Sequence, residues 1–346
     1  MTRVALKILL LVVVFVGGGE VAVRTVLNPL FDGTNRLEDF YLNADREAAN
    51  GPVDVVFVGS SRVAASIAPD VVGGYLSDSL GTRVKVISAG KGYSTLMLHY
   101  FGLQRLYRDH PDNMQGALVL IEAPGGVPVY LEWSDKWVTD TWPTLMGPLL
   151  TRDNVGPFLR ESPNTFRAKI YALAADPLRV VRYARYLQPT LESKFNNRFD
   201  SAVAPEADAD LAGEGGIRTD SAGVALVREE VLAGTDHKAV RDSWNWDNSV
   251  LADIVKLVRS HGGEVAFFEM PVSSYWTAGY PPGRRELEAT SFHEWAGRNQ
   301  LDYESFPTFQ TTDDDFPDLM HMRKSMRDDY SRSVAERLIS SGLLPH

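Results

Sequence analysis

The sequence feature that most constrains the fold is a short apolar run that ends at a glycine and two serines. The run from Val55 to Val58 is too short and too rich in β-branched residues for a helix, so it predicts a buried strand of a parallel sheet. Gly59 then marks a tight turn that places Ser60 and Ser61 just beyond the carboxyl end of this strand. Open α/β sheets bind ligands outside these carboxyl ends, so a hydroxyl group here occupies the usual position of an active site. The alternative is that the two serines only cap the next helix.

Strand-like and helix-like segments alternate along much of the remaining chain. Further strands are predicted at 84–88, 117–121, 264–269 and near 302–303, and helices at 35–50, 63–80, 96–108, 248–261, 285–298 and 324–341. Pro69 is expected to break the helix at 63–80 and to restart it. The alternation predicts an α/β fold, with a doubly wound, mostly parallel sheet in three α/β/α layers.

The N-terminus carries an apolar segment long enough to cross a membrane. Arg3 and Lys7 flank an apolar run from Ile8 to Gly19, and the wider segment from Val4 to Leu27 would be about 35 Å long as a helix. No clear A-x-A cleavage site follows, which favours an uncleaved single-pass anchor at 1–27 over a signal peptide. Positive residues before a span stay cytoplasmic, so the rest of the chain is expected to be extracytoplasmic, in the periplasm or outside the cell.

The α/β part is predicted to come in two pieces around an insertion. Residues 28–126 and 234–346 carry the alternating pattern, and the pattern is lost between 127 and 233. This middle segment contains helical sequence from Ser162 to Phe199 and a loop-like stretch from Ala202 to Gly216. We interpret it as a helical insertion or lid across the carboxyl edge of the sheet.

Composition and residue spacing exclude several classes of function. The net charge of −10 argues against nucleic acid as a partner, because phosphate binding needs a basic surface. The absence of cysteine excludes disulfides and thiolate chemistry. The histidines lack metal-site spacing, the run Asp313 to Asp315 lacks the pattern of a calcium loop, and the Gly90-Lys91-Gly92 loop lacks nucleotide-binding patterns. We therefore predict no metal and no cofactor.

Near the other end of the chain, a carboxylate and an imidazole are three residues apart. Asp318 and His321 come just before the last predicted helix, within reach of each other on one helical turn or in a tight loop. Such a carboxylate holds histidine in the tautomer that can accept a proton from a serine. His321 could then activate Ser61, because histidine gains and loses a proton near neutral pH. By itself the D-x-x-H spacing is common and also describes a solvated helix flank.

Taken together, these segments resemble a known family. A strand ending in Gly-x-Ser, a glycine loop after the next strand and D-x-x-H before the last helix are similar to the SGNH (GDSL-like) hydrolases. Within that family, the chain resembles the membrane-anchored DltD-like and alginate O-acetylation proteins. The resemblance implies that Ser61 is the nucleophile, that Asp318 and His321 complete a catalytic triad, and that Gly90 donates to the oxyanion.

The resemblance covers about residues 52–126 and 245–342, and the chain departs from the family at one position. The third block of the family usually presents an asparagine that donates to the oxyanion, whereas here the strand ends in Glu122. An ionised glutamate has no proton to donate, and the loss of one oxyanion donor typically costs about a hundredfold in rate. Four explanations stay open: Glu122 is protonated, Glu122 points away, Asn245 or Asn248 donates instead, or the enzyme is weak.

Three functions remain that the sequence does not separate. The resemblance implies a membrane-anchored serine O-acyltransferase that passes an acyl group, commonly acetyl, from Ser61 to a hydroxyl of a cell-envelope or exported glycan. A membrane-bound protein is then a candidate acyl donor. An esterase would use the same residues with water in place of the acceptor. The third function is a catalytically silent envelope protein that binds glycan or scaffolds a membrane partner, which Glu122 favours.

Overall fold

The computed structural model describes residues 14, 17–19, 21, 36–90, 96–123, 246–274, 284–304, 309–316 and 321–344. The chain divides into two compact units. One comprises Asn43–Glu132 and Glu206–His346 and contains all of the strands described below. The other comprises Met1–Leu42 and Trp133–Pro205 and contains few described residues.

The helices and strands follow the predicted alternation. The strands are β1 (Val55–Gly59), β2 (Val86–Gly90), β3 (Leu118–Glu122), β4 (Glu264–Phe268) and β5 (Asp302–Glu304). The α-helices are α1 (Arg36–Ala49), α2 (Ser61–Ser66), α3 (Pro69–Leu80), α4 (Leu96–Asp109), α5 (Pro111–Met114), α6 (Val250–Ser260), α7 (Arg284–Arg298) and α8 (Arg327–Ser341). Short 3-10 turns lie at Trp246–Asn248, Asp313–Asp315 and Lys324–Met326. The predicted break at Pro69 is confirmed, whereas the last α-helix begins later than predicted because a 3-10 turn precedes it.

The five strands form one parallel sheet in the order β2-β1-β3-β4-β5. The chain runs from β1 outward to β2 and then returns past β1 to β3, so the strand order reverses between β1 and β3. Ligands of open α/β sheets bind at such a switch point. Every residue of β1 and β3 is buried, which explains why both read as unbroken apolar runs.

Helices cover both faces of the sheet, as two neighbouring residues of β4 show. Phe268 packs edge-on against Phe57, with 5.7 Å between the ring centroids, in a cluster that includes side chains of α3 and α8. Phe267 points to the other face and packs against Phe292 of α7, with 4.9 Å between the centroids. The described residues therefore form the predicted α/β/α layers around a parallel sheet.

The C-terminal helix is tied to the segment that follows Ser61. Arg327 in the first turn of α8 donates to the Ile67 carbonyl, with Nη2 and O 2.8 Å apart. The hydroxyl of Ser331 accepts from the Ala68 N–H at 2.9 Å and is itself buried. These bonds fix α8, and the chain that leads into it, against the end of α2.

Among the described residues, no helix combines the length and the apolar character that a membrane crossing requires. Most of the predicted anchor, residues 1–27, and all of the predicted insertion, residues 127–233, lie outside the described residues. The predicted boundaries of 28–126 and 234–346 therefore stay predictions.

Candidate active site

The two serines after β1 have different roles in the structure. Ser60 is the N-cap of α2, and its hydroxyl accepts from the Arg62 N–H at 3.2 Å. Ser61 is the first residue of α2, and its hydroxyl is left for other contacts. The capping function and the candidate chemical function therefore belong to two adjacent residues, and capping accounts for Ser60 alone.

Ser61 meets His321 at the carboxyl end of β1. The Oγ atom of Ser61 and Nε2 of His321 lie 2.7 Å apart, although the two residues are 260 positions apart in the sequence. Both side chains are half-buried. The separation is a normal hydrogen-bond distance, and it places a hydroxyl and a proton acceptor in direct contact at the switch point of the sheet.

The segment that delivers His321 is anchored on both sides. Phe316 before it and Met322 after it are buried in the core cluster with α3 and α8. The Arg323 N–H donates to the Asp315 carbonyl at 2.8 Å, which joins the two ends of the segment. Asp313 also receives two hydrogen bonds from Ser274, from its N–H at 2.7 Å and from its hydroxyl at 2.6 Å. His321 therefore projects from a segment whose two ends are pinned.

Three of the residues considered from the sequence have side chains that the structure does not describe. Asp318 and Asn245 lie outside the described residues, and of Asn248 only the backbone is described. The proposed role of Asp318 as the orienting carboxylate stays a prediction. The same holds for Asn245 and Asn248 as substitute oxyanion donors.

Glu122 is turned toward the backbone that carries Ser61. Its Oε2 atom accepts from the Ser60 N–H at 2.6 Å, and its Oε1 atom forms an ion pair with Nη2 of Arg62. Arg62 is 2% exposed and Glu122 is 1% exposed, so the pair is buried. The charge that the sequence places at the end of β3 is thus matched by a cation on the first turn of α2.

The glycine of the turn leaves room for this carboxylate. A Cβ atom at Gly59 would lie 2.6 Å from Glu122 Oε2 and 2.3 Å from Val63 Cγ2. Both distances are far below normal van der Waals contact, so any larger residue would displace the carboxylate or the helix. Gly59 is therefore required by the close approach of β3 to the turn.

Gly90 has a packing role at the end of β2. Its N–H donates to the Ser88 hydroxyl at 3.2 Å, and a Cβ atom at Gly90 would lie 2.5 Å from the backbone nitrogen of Ala64. The end of β2 therefore packs directly against the first turn of α2. The oxyanion role that the family resemblance implies for Gly90 stays a prediction.

His99 contacts the turn at Gly59 from the helix that follows β2. It is on α4, is 1% exposed, and makes a hydrogen bond to the Gly59 backbone. Burial lowers the pKa of His99 to about 3, although that hydrogen bond acts in the opposite direction. Its imidazole is therefore neutral at physiological pH and supports the turn as an uncharged group.

Within the described part of the chain, no group of His, Asp and Glu side chains has the arrangement of a metal site. The Glu122 carboxylate in the site is not available as a metal ligand either, because it is already paired with Arg62.

Comparison with known proteins adds little to this geometry. No protein-family model and no curated protein matches the sequence. Among solved structures, the chain is similar to a crystal structure described as a "putative acylhydrolase" from Bacteroides fragilis, at 12% identity and a TM-score of 0.36. The match covers 86% of this chain and 95% of that chain.

Arg62 and His99 are the site residues that the sequence does not reveal. Arg62 directly follows the serine on a short helix, where a charged side chain normally faces solvent. The available signal was Glu122, because a carboxylate at the end of a buried strand needs a cation or several N–H groups near it. The position of that cation in the sequence depends on which elements pack together, so it could not be assigned in advance.

Gly90 offers a test of the packing at the end of β2. We expect Gly90→Ala to lower the free energy of unfolding by about 1–3 kcal/mol, because the new methyl group has to displace backbone atoms of α2. Gly74→Ala is the matched control: it lies in α3 with open space around its Cβ position, and we expect it to raise stability by about 0.5–1 kcal/mol. Urea unfolding of both variants measures the difference, and similar stabilities would contradict the packing role.

The lowered pKa of the buried His99 leads us to expect that the stability of the protein depends on pH. Its pKa is about 3 in the folded state, whereas an exposed histidine titrates near 6.5, so the unfolded chain binds the extra proton between these values. Stability should therefore fall as the pH drops from about 6.5 toward 3, with this residue contributing up to about 1.4 kcal/mol per pH unit. Urea unfolding from pH 4 to 7 should show a shallower dependence for His99→Gln. Parallel curves for the two proteins would refute the assignment.

Proposed function

We propose that this protein cleaves or transfers acyl esters through a covalent acyl-enzyme, with Ser61 as the nucleophile and His321 as the general base. The observation that carries the proposal is the 2.7 Å separation of Ser61 Oγ and His321 Nε2. A serine is a weak nucleophile until a neighbouring base can take its proton, and this contact provides the base. The position of the pair at the carboxyl end of β1 also supports the proposal, because substrates reach open α/β sheets from that edge.

In the first half of the proposed reaction, Ser61 Oγ attacks the carbonyl carbon of an ester and passes its proton to His321 Nε2. A bond forms between Oγ and the carbonyl carbon, and the bond from that carbon to the leaving oxygen then breaks. The leaving oxygen takes the proton from His321. The products of this half are an alcohol and acylated Ser61.

In the second half, a hydroxyl compound takes the place of the departed alcohol. It passes its proton to His321 as its oxygen attacks the acyl carbon, and Ser61 leaves and regains a proton from the imidazole. Nε2 can accept a proton only when Nδ1 carries the ring hydrogen. We propose that the Asp318 carboxylate accepts that Nδ1–H and so holds the required tautomer.

The finer part of the proposal concerns the acceptor. We infer that it is a glycan hydroxyl outside the cytoplasm, which makes the protein a membrane-anchored O-acyltransferase. The support is the apolar N-terminal segment and the resemblance of its sequence blocks to anchored acyltransferases. Water in place of the glycan would make the same residues an esterase.

A fluorophosphonate probe tests the shared part of the two functions. Such probes form a covalent bond with an activated serine, so the wild-type chain should be labelled and His321→Ala should not. A folded wild-type chain that stays unlabelled would overturn the proposal and favour a silent glycan-binding or scaffold protein. Acetyl transfer from an activated ester to an oligosaccharide, measured against acetate release to water, then separates the transferase from the esterase.

Asp318 has a test of its own. We expect Asp318→Asn to lower kcat for an activated ester by about 10⁴-fold, because the asparagine would stabilise the wrong tautomer of His321. Asp314→Asn is the control, since that side chain belongs to the same acidic segment and is exposed. Equal activity of the two variants would show that Asp318 has no orienting role.

A further inference from the structure

Glu122, at the end of β3, contacts groups of the protein itself, whereas a substrate-binding side chain would point into the open site. Both carboxylate oxygens of Glu122 are engaged within the protein: Oε2 accepts from the Ser60 N–H at 2.6 Å, and Oε1 pairs with Arg62. Each of these groups is directly beside Ser61 in the sequence, one before it and one after it. The carboxylate thus binds the chain on both sides of the candidate nucleophile.

We propose that Glu122 and Arg62 are a positioning pair that holds the turn carrying Ser61, with the Ser60 N–H as the decisive contact. This inference rests on the proposed function for its consequence for activity, and on the geometry alone for its consequence for the turn. Neither residue touches the reacting atoms in the proposed mechanism. They act through the backbone of Ser60 and Ser61.

The burial of the pair explains why the contact can be stiff. With 2% and 1% of their surfaces exposed, the two side chains cannot exchange their partner for water without opening the core. The Gly59 backbone allows the carboxylate to approach this closely, since any Cβ there would collide with Glu122. The turn is therefore held by β3 through Glu122, and from α4 through the hydrogen bond between His99 and the Gly59 backbone.

The role of Arg62 in the pair is to neutralise the charge of the Glu122 carboxylate. A lone carboxylate beside Ser61 would oppose the negative charge that develops on the substrate oxygen during acyl transfer. The guanidinium neutralises it at contact distance. The pair therefore supplies a hydrogen-bond acceptor to the turn while it adds no net charge to the site.

Two double variants separate the decisive contact from the ion pair. Arg62→Met/Glu122→Gln removes both charges and keeps a side-chain oxygen that can accept from the Ser60 N–H. Arg62→Met/Glu122→Leu also removes both charges, but leaves that N–H without an acceptor. Both variants avoid an unpaired buried charge, so both are expected to fold. The glutamine variant is the matched control for the leucine variant.

Steady-state hydrolysis of an activated acetyl ester by the full chain is the first measurement. We expect the leucine double variant to have a kcat about 100-fold below that of the glutamine double variant at similar KM, because a shift of the nucleophile by about 1 Å has an effect of that size. A merely structural pair would give the two folded variants the same kcat. Equal kcat values would therefore overturn the inference.

Hydrogen exchange of the Ser60 amide in the full chain is the second measurement, and it does not depend on activity. The amide should be protected in the wild type and in the glutamine variant, and should exchange at least tenfold faster in the leucine variant. Equal exchange in the two double variants would overturn the inference. If the wild type fails to hydrolyse any ester but shows this difference in exchange, the proposed function fails while the positioning of the turn stands.

Discussion

Replacement of Ser61 by alanine is expected to abolish fluorophosphonate labelling and to lower the turnover of an activated ester by about 10⁴- to 10⁶-fold. The physical reason is that Ser61 Oγ lies 2.7 Å from His321 Nε2, the ring nitrogen that would take its proton during attack on the ester. Labelling followed by mass spectrometry of the modified peptide measures the effect and identifies the modified residue.

The neighbouring serine provides the control. Ser60 caps α2 through its hydroxyl, so Ser60→Ala should lower the free energy of unfolding by about 0.5–2 kcal/mol and keep labelling at Ser61. Circular dichroism confirms that both variants fold. Labelling that is lost in Ser60→Ala and kept in Ser61→Ala would identify Ser60 as the nucleophile and refute the mechanism.

Removal of the Glu122 carboxylate is expected to have the largest effect on stability. In Glu122→Leu the guanidinium of Arg62 stays buried without its partner, and breaking a buried ion pair in this way costs about 3–5 kcal/mol. The second substitution in Arg62→Met/Glu122→Leu should recover most of that loss, because an apolar pair of similar volume needs no compensating charge. Urea unfolding of the three proteins measures both steps.

An exposed ion pair gives the reference for this effect. Arg332 and Asp329 in α8 are 2.8 Å apart, with more than half of each side chain exposed (53% and 63%). Arg332→Met should therefore change stability by less than about 1 kcal/mol, since solvent screens such pairs. A loss in Glu122→Leu no larger than that in Arg332→Met would mean that Arg62 finds water or another partner, and that the pair is not held as described.

Much of the fold follows from local patterns. Buried parallel strands read as unbroken apolar runs because both of their faces are covered, and this applies to β1 and β3. Strand β2 was harder to place, since it lies at the sheet edge and its burial alternates. The start of α8 was predicted too early, because propensity does not distinguish a 3-10 turn from the first turn of an α-helix.

Some features of the candidate site could also be predicted from the sequence, and others could not. The order of Gly-x-Ser near the beginning and D-x-x-H near the end predicted that Ser61 and His321 would meet, and the structure places them in contact. The open question about Glu122 could not be answered from the sequence. There, a glutamate at the strand end fits a protonated donor, a side chain that points away, a site in which Asn245 or Asn248 donates instead, or a weak enzyme. In the structure, Glu122 accepts a hydrogen bond from the Ser60 N–H and pairs with Arg62, so its carboxylate points toward the backbone that carries Ser61.

The sequence by itself determined which residues carry reactive groups and which segments are strands or helices, because both depend on side-chain chemistry and on periodicity along a few neighbouring residues. Only the tertiary structure decided the partner of the Glu122 charge and the close packing at Gly59 and Gly90. Those contacts join segments far apart in the chain, and they depend on which strands become neighbours and how closely their ends approach. That information is held in the packing of the whole sheet rather than in any one stretch of sequence.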